Sequence, residues 1–204
     1  MADDGNDDDN DEIKVILVGE TGTGKTCLIN TSVGLGFNPN TLSTVASTYS
    51  RKKFEIDNKQ YILNLWDTAG QEQYRALNKI FIKHSKIVIF VYSITVRKTF
   101  EELDYWYDTI KEVLGDEPIL GLVGNKKDLF LEEEVKESEG KKFAESKNIS
   151  FQLVSAKESP RDFIDFLYTL LEQYIEKINK SGGKKDKNIN LKKKNKKEEN
   201  GKCC

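Results

Sequence analysis

The sequence predicts an α/β fold of three layers: an open, mostly parallel six-stranded sheet with one antiparallel strand, and helices on both faces. Three observations carry this. Nearly continuous apolar runs of strand length recur along the chain, as strands buried on both faces require. Amphipathic stretches of helical period lie between them. One pair of β-rich segments is joined by a tight turn, which places an antiparallel strand on the sheet.

Taken in order, residues 13–19 read Ile-Lys-Val-Ile-Leu-Val-Gly, an apolar run closed by glycine, and Cys27-Leu28-Ile29 opens a helix after it. Residues 48–57 and 60–66 are the β-rich pair, joined by Asp57-Asn58-Lys59. The buried-strand pattern returns at 86–92, at 118–124 and, more weakly, at 150–154. Phe100, Leu103, Trp106, Ile110 and Leu114 mark one face of a helix, and Phe163, Phe166, Leu167, Leu170, Leu171, Tyr174 and Ile178 mark another. The second has start chemistry: Ser159 as cap, Pro160 at the first position and Asp162 in the first turn. Alternation of strand and helix argues for an open sheet with crossover helices.

Charge divides the 204 residues into three parts. Residues 1–12 carry seven acids and no base, and residues 179–202 carry ten Lys against three acids. With a total of −2, the middle is close to neutral. The expected organisation is an acidic disordered tail at 1–12, one domain at 13–178, and a flexible Lys-rich tail at 179–204 ending in Cys203-Cys204. No run of about 20 apolar residues is present to span a bilayer. The first residues lack a signal peptide's basic and apolar regions, so a cytosolic or nuclear protein is expected. Cys27, Cys203 and Cys204 are placed too poorly for a disulfide framework.

The most specific motif is Gly19-Glu20-Thr21-Gly22-Thr23-Gly24-Lys25-Thr26, which fits G-x-x-x-x-G-K-[ST] between a strand and a helix. Gly22, Thr23 and Gly24 turn backbone N–H groups toward phosphate oxygens, and the helix N-terminus at Cys27 adds its positive end. Lys25 reaches phosphate, and the Thr26 hydroxyl suits Mg²⁺. The motif alone says nucleoside triphosphate. Asn125-Lys126-Lys127-Asp128 resembles the N-K-x-D motif of GTPases, which implies that a carboxylate at Asp128 accepts from guanine N1–H and N2–H₂ together, a donor pair adenine lacks.

Here the chain resembles the Ras-superfamily GTPases, with the N-K-x-D motif at 125–128 and Ser155-Ala156-Lys157 as the second guanine loop. The resemblance implies a three-layer small G-protein fold of the P-loop NTPase class, binding GTP or GDP with Mg²⁺. It implies that the Lys126 stem covers the base, that Phe37 stacks on it, and that Ala156 N–H meets its O6. Trp66-Asp67-Thr68-Ala69-Gly70-Gln71 is similar to the D-x-x-G-Q motif: Asp67 holds Mg²⁺ through water, the Gly70 N–H meets the γ-phosphate, and Gln71 orients the attacking water. Thr44 matches the threonine that completes Mg²⁺ coordination in the triphosphate state. Loops at about 37–49 and 68–82 are then the switch.

Within the superfamily the chain is most like a Rab. Segments 62–66, 73–77 and 90–95 resemble Rab segments, and Tyr49, Trp66 and Phe81 occupy the Rab aromatic triad, unless they are simply core. Cys203-Cys204 resembles the doubly lipidated Rab terminus. The Lys192–Lys197 cluster then supports a membrane-surface role, a solvated linker or a nuclear signal. The implied place is cytoplasmic, peripheral on the cytosolic face of an intracellular or plasma membrane. The implied partners are exchange factor, activating protein, effectors, GDP-dissociation inhibitor and prenyltransferase escort, with a monomeric domain and no nucleic acid. Ala46, Ser93 and the 81–85 segment depart from the Rab pattern, and Thr21 stands where Ras has Gly; none removes a nucleotide motif. A scaffold that hardly hydrolyses GTP is the competing expectation.

Overall fold

The structure, a computed structural model, describes residues 11–40, 48–68 and 81–194. Thr44, Gly70, Gln71, Cys203 and Cys204 lie outside the described residues. Along the chain come β1 (Asp11–Val18), α1 (Lys25–Ser32), β2 (Thr48–Ile56), β3 (Lys59–Asp67), β4 (Ile87–Ser93), α2 (Arg97–Glu101), α3 (Leu103–Leu114) and β5 (Ile119–Asn125). A 3₁₀ turn (Lys127–Glu132), α4 (Glu137–Lys147), β6 (Ser150–Leu153) and α5 (Pro160–Lys194) follow. The sheet order is β2-β3-β1-β4-β5-β6, with β2–β3 antiparallel and all other pairs parallel.

The hairpin turns on Asp57 and Asn58, at φ 53° and 61°. Two consecutive left-handed residues make a type I′ turn, whose twist matches that of the strands, and Asp and Asn tolerate it. The ladder closes with Ile56 opposite Lys59.

Two boundaries differ from the sequence reading. The acidic segment expected to be disordered through residue 12 already enters β1 at Asp11, opposite Tyr61 of β3. The Glu12 carboxylate accepts from Arg51 Nη2 at 3.1 Å and Asn64 Nδ2 at 3.0 Å, so neighbouring strands hold the charge. At the other end, the helical backbone of α5 continues from 178, where the sequence reading ends the domain, to Lys194. Its beginning is supported locally by Lys180 on Glu176 at 3.0 Å and Ser181 Oγ on Ile178 O at 2.9 Å. Ile178, the last residue of the apolar stripe, is already 36% exposed.

The core forms on both sheet faces because strand side chains alternate. Ile13, Val15 and Leu17 of β1 face α1 and α5, packing with Leu28, Phe163, Leu167 and Leu170. Ile16 and Val18 face the other way, toward Phe90, Trp106, Ile110 and Leu122. Central β4 is buried at every residue. The periodic stretch from Phe100 to Leu114 divides at Glu102 into α2 and α3, and Leu103, Trp106 and Ile110 point inward. α4 lies close to the sheet because Gly140 permits it: a Cβ there would sit 2.5 Å from the Tyr92 hydroxyl.

Phe163→Ala, which empties a fully buried site, is expected to lower unfolding free energy by about 3–5 kcal/mol. Glu12→Ala, which opens an exposed ion pair, is expected to cost less than about 1 kcal/mol. Denaturant titration of both variants in one buffer checks the contrast.

Candidate nucleotide-binding site

In a parallel sheet, the loops leaving the carboxyl ends of the strands share one edge, and ligands bind there. Here the loop from β1 to α1, the end of β3, the loop after β5 and the loop after β6 open onto a cleft of about 480 Å³.

Lys25 opens α1 behind Gly24, whose φ of 91° favours glycine. A Cβ at Gly24 would meet Asn125 Nδ2 at 2.3 Å, so glycine also allows a close approach. Lys25 is 5% exposed; its ammonium donates to Gly19 O at 2.8 Å and Glu20 O at 2.9 Å. Burial lowers its pKa to about 8, against the opposing pull of Asp67 and Glu20. Thr26 Oγ1 donates to Asp67 Oδ2 at 2.7 Å, and Asp67 is buried. A hydroxyl and a carboxylate side by side are hard oxygen donors and fit Mg²⁺. Thr68 Oγ1 donates to Leu17 O at 2.6 Å, fixing the end of β3 against β1.

At the far end of the cleft, Asn125 Nδ2 donates to Thr23 O at 2.8 Å, and Asn125 Oδ1 accepts from Ala156 N at 3.3 Å. The Ala156 N–H, expected at a base oxygen, thus has a protein acceptor. Asp128 Oδ1 accepts from Ser155 Oγ at 2.6 Å. Ser155 Oγ in turn accepts from the N–H groups of Lys157 (3.2 Å) and Glu158 (2.9 Å), so a turn orients the carboxylate. Lys126 adopts a left-handed φ of 68°, and burial lowers its pKa. Its side chain lines the cleft, as does that of Phe37.

The cleft gathers Gly22, Gly24, Lys25, Thr26, Cys27, Phe37, Asn125, Lys126, Asp128, Ala156 and Lys157 from the sequence reading. Thr23 lies buried beneath the loop, Ser155 behind Asp128, and Asp67 against Thr26. Thr68, Asn38, Pro39 and Leu129 also line it and were not singled out from sequence. Thr68 follows Asp67 in its motif, and that adjacency was the available signal. Cys27 is half-buried, packing against the core. His84 is exposed at φ 64°. Tyr49 stacks on Trp66 at 5.2 Å and Trp66 meets Phe81 at 6.3 Å; Tyr49 is 50% exposed, so that end of the trio is surface rather than core.

The Ras family model matches residues 14–176. The chain belongs to the Ras family. This Ras-family chain is 32% identical over 197 residues to the Ras-related protein SEC4 of Saccharomyces cerevisiae, covering 94% of this chain and 91% of SEC4. It is a Rab-like small GTPase: it binds guanine nucleotide, hydrolyses GTP and works as a switch. Ras-family GTPases in general bind GTP or GDP with Mg²⁺ and interact with exchange factors, activating proteins and effectors. Among the described residues no helix is long and apolar enough to cross a membrane.

Asn125→Ala strands a buried carbonyl and a buried N–H, costing about 1–3 kcal/mol each; GDP release, followed with a fluorescent analogue, is expected to quicken at least about ten-fold. Lys25 gives a pH test. Phosphate charge raises its pKa from about 8, so nucleotide binding takes up a proton above that pH. Affinity is expected to fall as pH rises through about 8, and Lys25→Met to remove that dependence; calorimetry in buffers of different ionisation enthalpy reads the proton uptake.

Proposed function

We propose that this chain is a Rab-type switch in vesicle trafficking, held by a lipidated Cys203-Cys204 terminus on the cytosolic face of an intracellular or plasma membrane. The observation that carries the nucleotide switch is the convergence of Lys25, Thr26, Asn125 and Asp128 on one cleft, with Asp67 bonded to Thr26. Asp128 holds the guanine edge, Phe37 and the Lys126 stem flank the ring, and the Gly22–Cys27 loop with Lys25 holds phosphate. Thr26 and Thr44 would ligate Mg²⁺, with Asp67 behind them, and the ion would supply positive charge against the phosphates. Gln71 orients the attacking water, and the Gly70 N–H holds the γ-phosphate.

No arginine stands in these motifs to meet charge developing on the transferring phosphoryl group. Turnover on the order of 10⁻⁴ to 10⁻² s⁻¹ is expected, with a partner's arginine raising it about 10³–10⁵-fold. Partners are expected to read the segments that carry Thr44 and Gln71. A GDP-dissociation inhibitor and a prenyltransferase escort fit the two terminal thiols, since two lipid chains anchor stably where one does not.

The test loads the purified chain with GTP and Mg²⁺ and follows nucleotide identity by chromatography. Slow conversion to GDP is expected, slowed further at least about ten-fold by Gln71→Leu with GTP affinity retained. Equal turnover in that variant overturns the role of Gln71. No conversion by the parent chain over many hours favours the non-hydrolysing scaffold.

A further inference from the structure

Phe130 is 67% exposed and Leu131 88%, both within the 3₁₀ turn after the base-recognition motif. The turn is tied at both ends. Ahead of the pair, Lys127 N–H donates to Val154 O at 3.0 Å and Asp128 is bonded to Ser155. Behind it, the N–H groups of Glu134 and Val135 both donate to Ile94 O, at 2.8 and 3.0 Å, and Val135 is fully buried. Leu129, at φ −95° and ψ 38°, breaks the helical path and lines the cleft. Two adjacent large apolar side chains held in water by an anchored backbone have the character of a docking anchor.

The segment directly after this knob is acidic, although Arg97 is set against Glu134 and Lys126 lies within electrostatic reach of Glu132. Glu132, Glu133 and Glu134 follow directly and are exposed. Lys127, the nearest base before the pair, faces Asp162 at 3.9 Å. Glu132 and Glu133, next to the apolar pair, favour a basic occupant over anionic lipid or nucleic acid phosphate.

The geometry points to a protein partner that seats an amphipathic basic helix on this knob, its apolar face over Phe130 and Leu131 and its Lys or Arg residues toward Glu132 and Glu133. Leu129 and Asp128 directly precede the knob, so the occupant touches the turn that carries the guanine contact, and docking alters the rate of nucleotide release. That coupling rests on guanine being held at Asp128; the docking itself does not.

The test uses the full chain loaded with fluorescent GDP, a labelled Leu/Lys amphipathic helical peptide and its Leu/Glu counterpart. Preferential binding of the Leu/Lys peptide is expected, weakened at least about ten-fold in Phe130→Ser/Leu131→Ser and in Glu132→Lys/Glu133→Lys. GDP release should change at least about three-fold on binding to the parent chain and stay constant in the variants. Undiminished binding by both variants, or equal binding of the Leu/Glu peptide, overturns the site. So does assignment of the knob to another occupant: self-association lost with Phe130→Ser/Leu131→Ser, or binding to phosphatidylserine vesicles lost in the same way. Binding without any change in release overturns the coupling alone. Absence of bound GDP in the parent chain counts instead against guanine binding at Asp128, and unlabelled protein still reports on docking.

Discussion

Asn125 joins three segments far apart in sequence, two of them through its side-chain carboxamide. Its Nδ2 holds Thr23 O in the phosphate loop, its Oδ1 receives the Ala156 N–H after β6, and its own backbone O receives the Ile94 N–H after β4. The first two partners are buried, so each bond replaces water that cannot reach the site. The arrangement fixes the distance between the cation at Lys25 and the carboxylate at Asp128. Gly24 belongs to the same constraint, since any side chain there would occupy the space the carboxamide fills.

Around this brace the electrostatics are arranged by burial. Lys25 is an ammonium almost removed from solvent, satisfied by two loop carbonyls and drawn upon by Asp67 and Glu20. A charge so poorly hydrated interacts strongly with an arriving phosphate, because little water has to be displaced. Asp67 is kept beside Thr26 by the end of β3, whose position depends on Thr68 holding Leu17 O. The parallel strands therefore set the site, and the helices cover what the sheet would otherwise expose.

Much of this was legible in the sequence for a physical reason. The strands of a doubly covered sheet must be apolar throughout, as in the wholly buried β4, and phosphate loops need glycine and lysine at fixed spacing. The hairpin turn was legible because few residue pairs tolerate two left-handed conformations. What was hidden depends on partners distant in sequence. Nothing in the acidic run announces that Glu12 meets Arg51 and Asn64 on two other strands. Nor does composition reveal that helical backbone passes Ile178, where the apolar stripe ends. Thr68 looked like a spacer between Asp67 and Gly70, and only the contact with Leu17 gives it a task.

The chain enters β2 at Thr48 and leaves β3 at Asp67, and these two residues are opposite one another in the antiparallel ladder. Asp67, whose carboxylate accepts from Thr26 Oγ1, therefore shares its rung with the first residue of β2. The unbroken ladder from that rung to the Asp57-Asn58 turn ties the two strands along their whole length. Any displacement of β2 at Thr48 is thus passed to the carboxylate beside Thr26, and the edge hairpin moves with the phosphate end of the cleft as one piece.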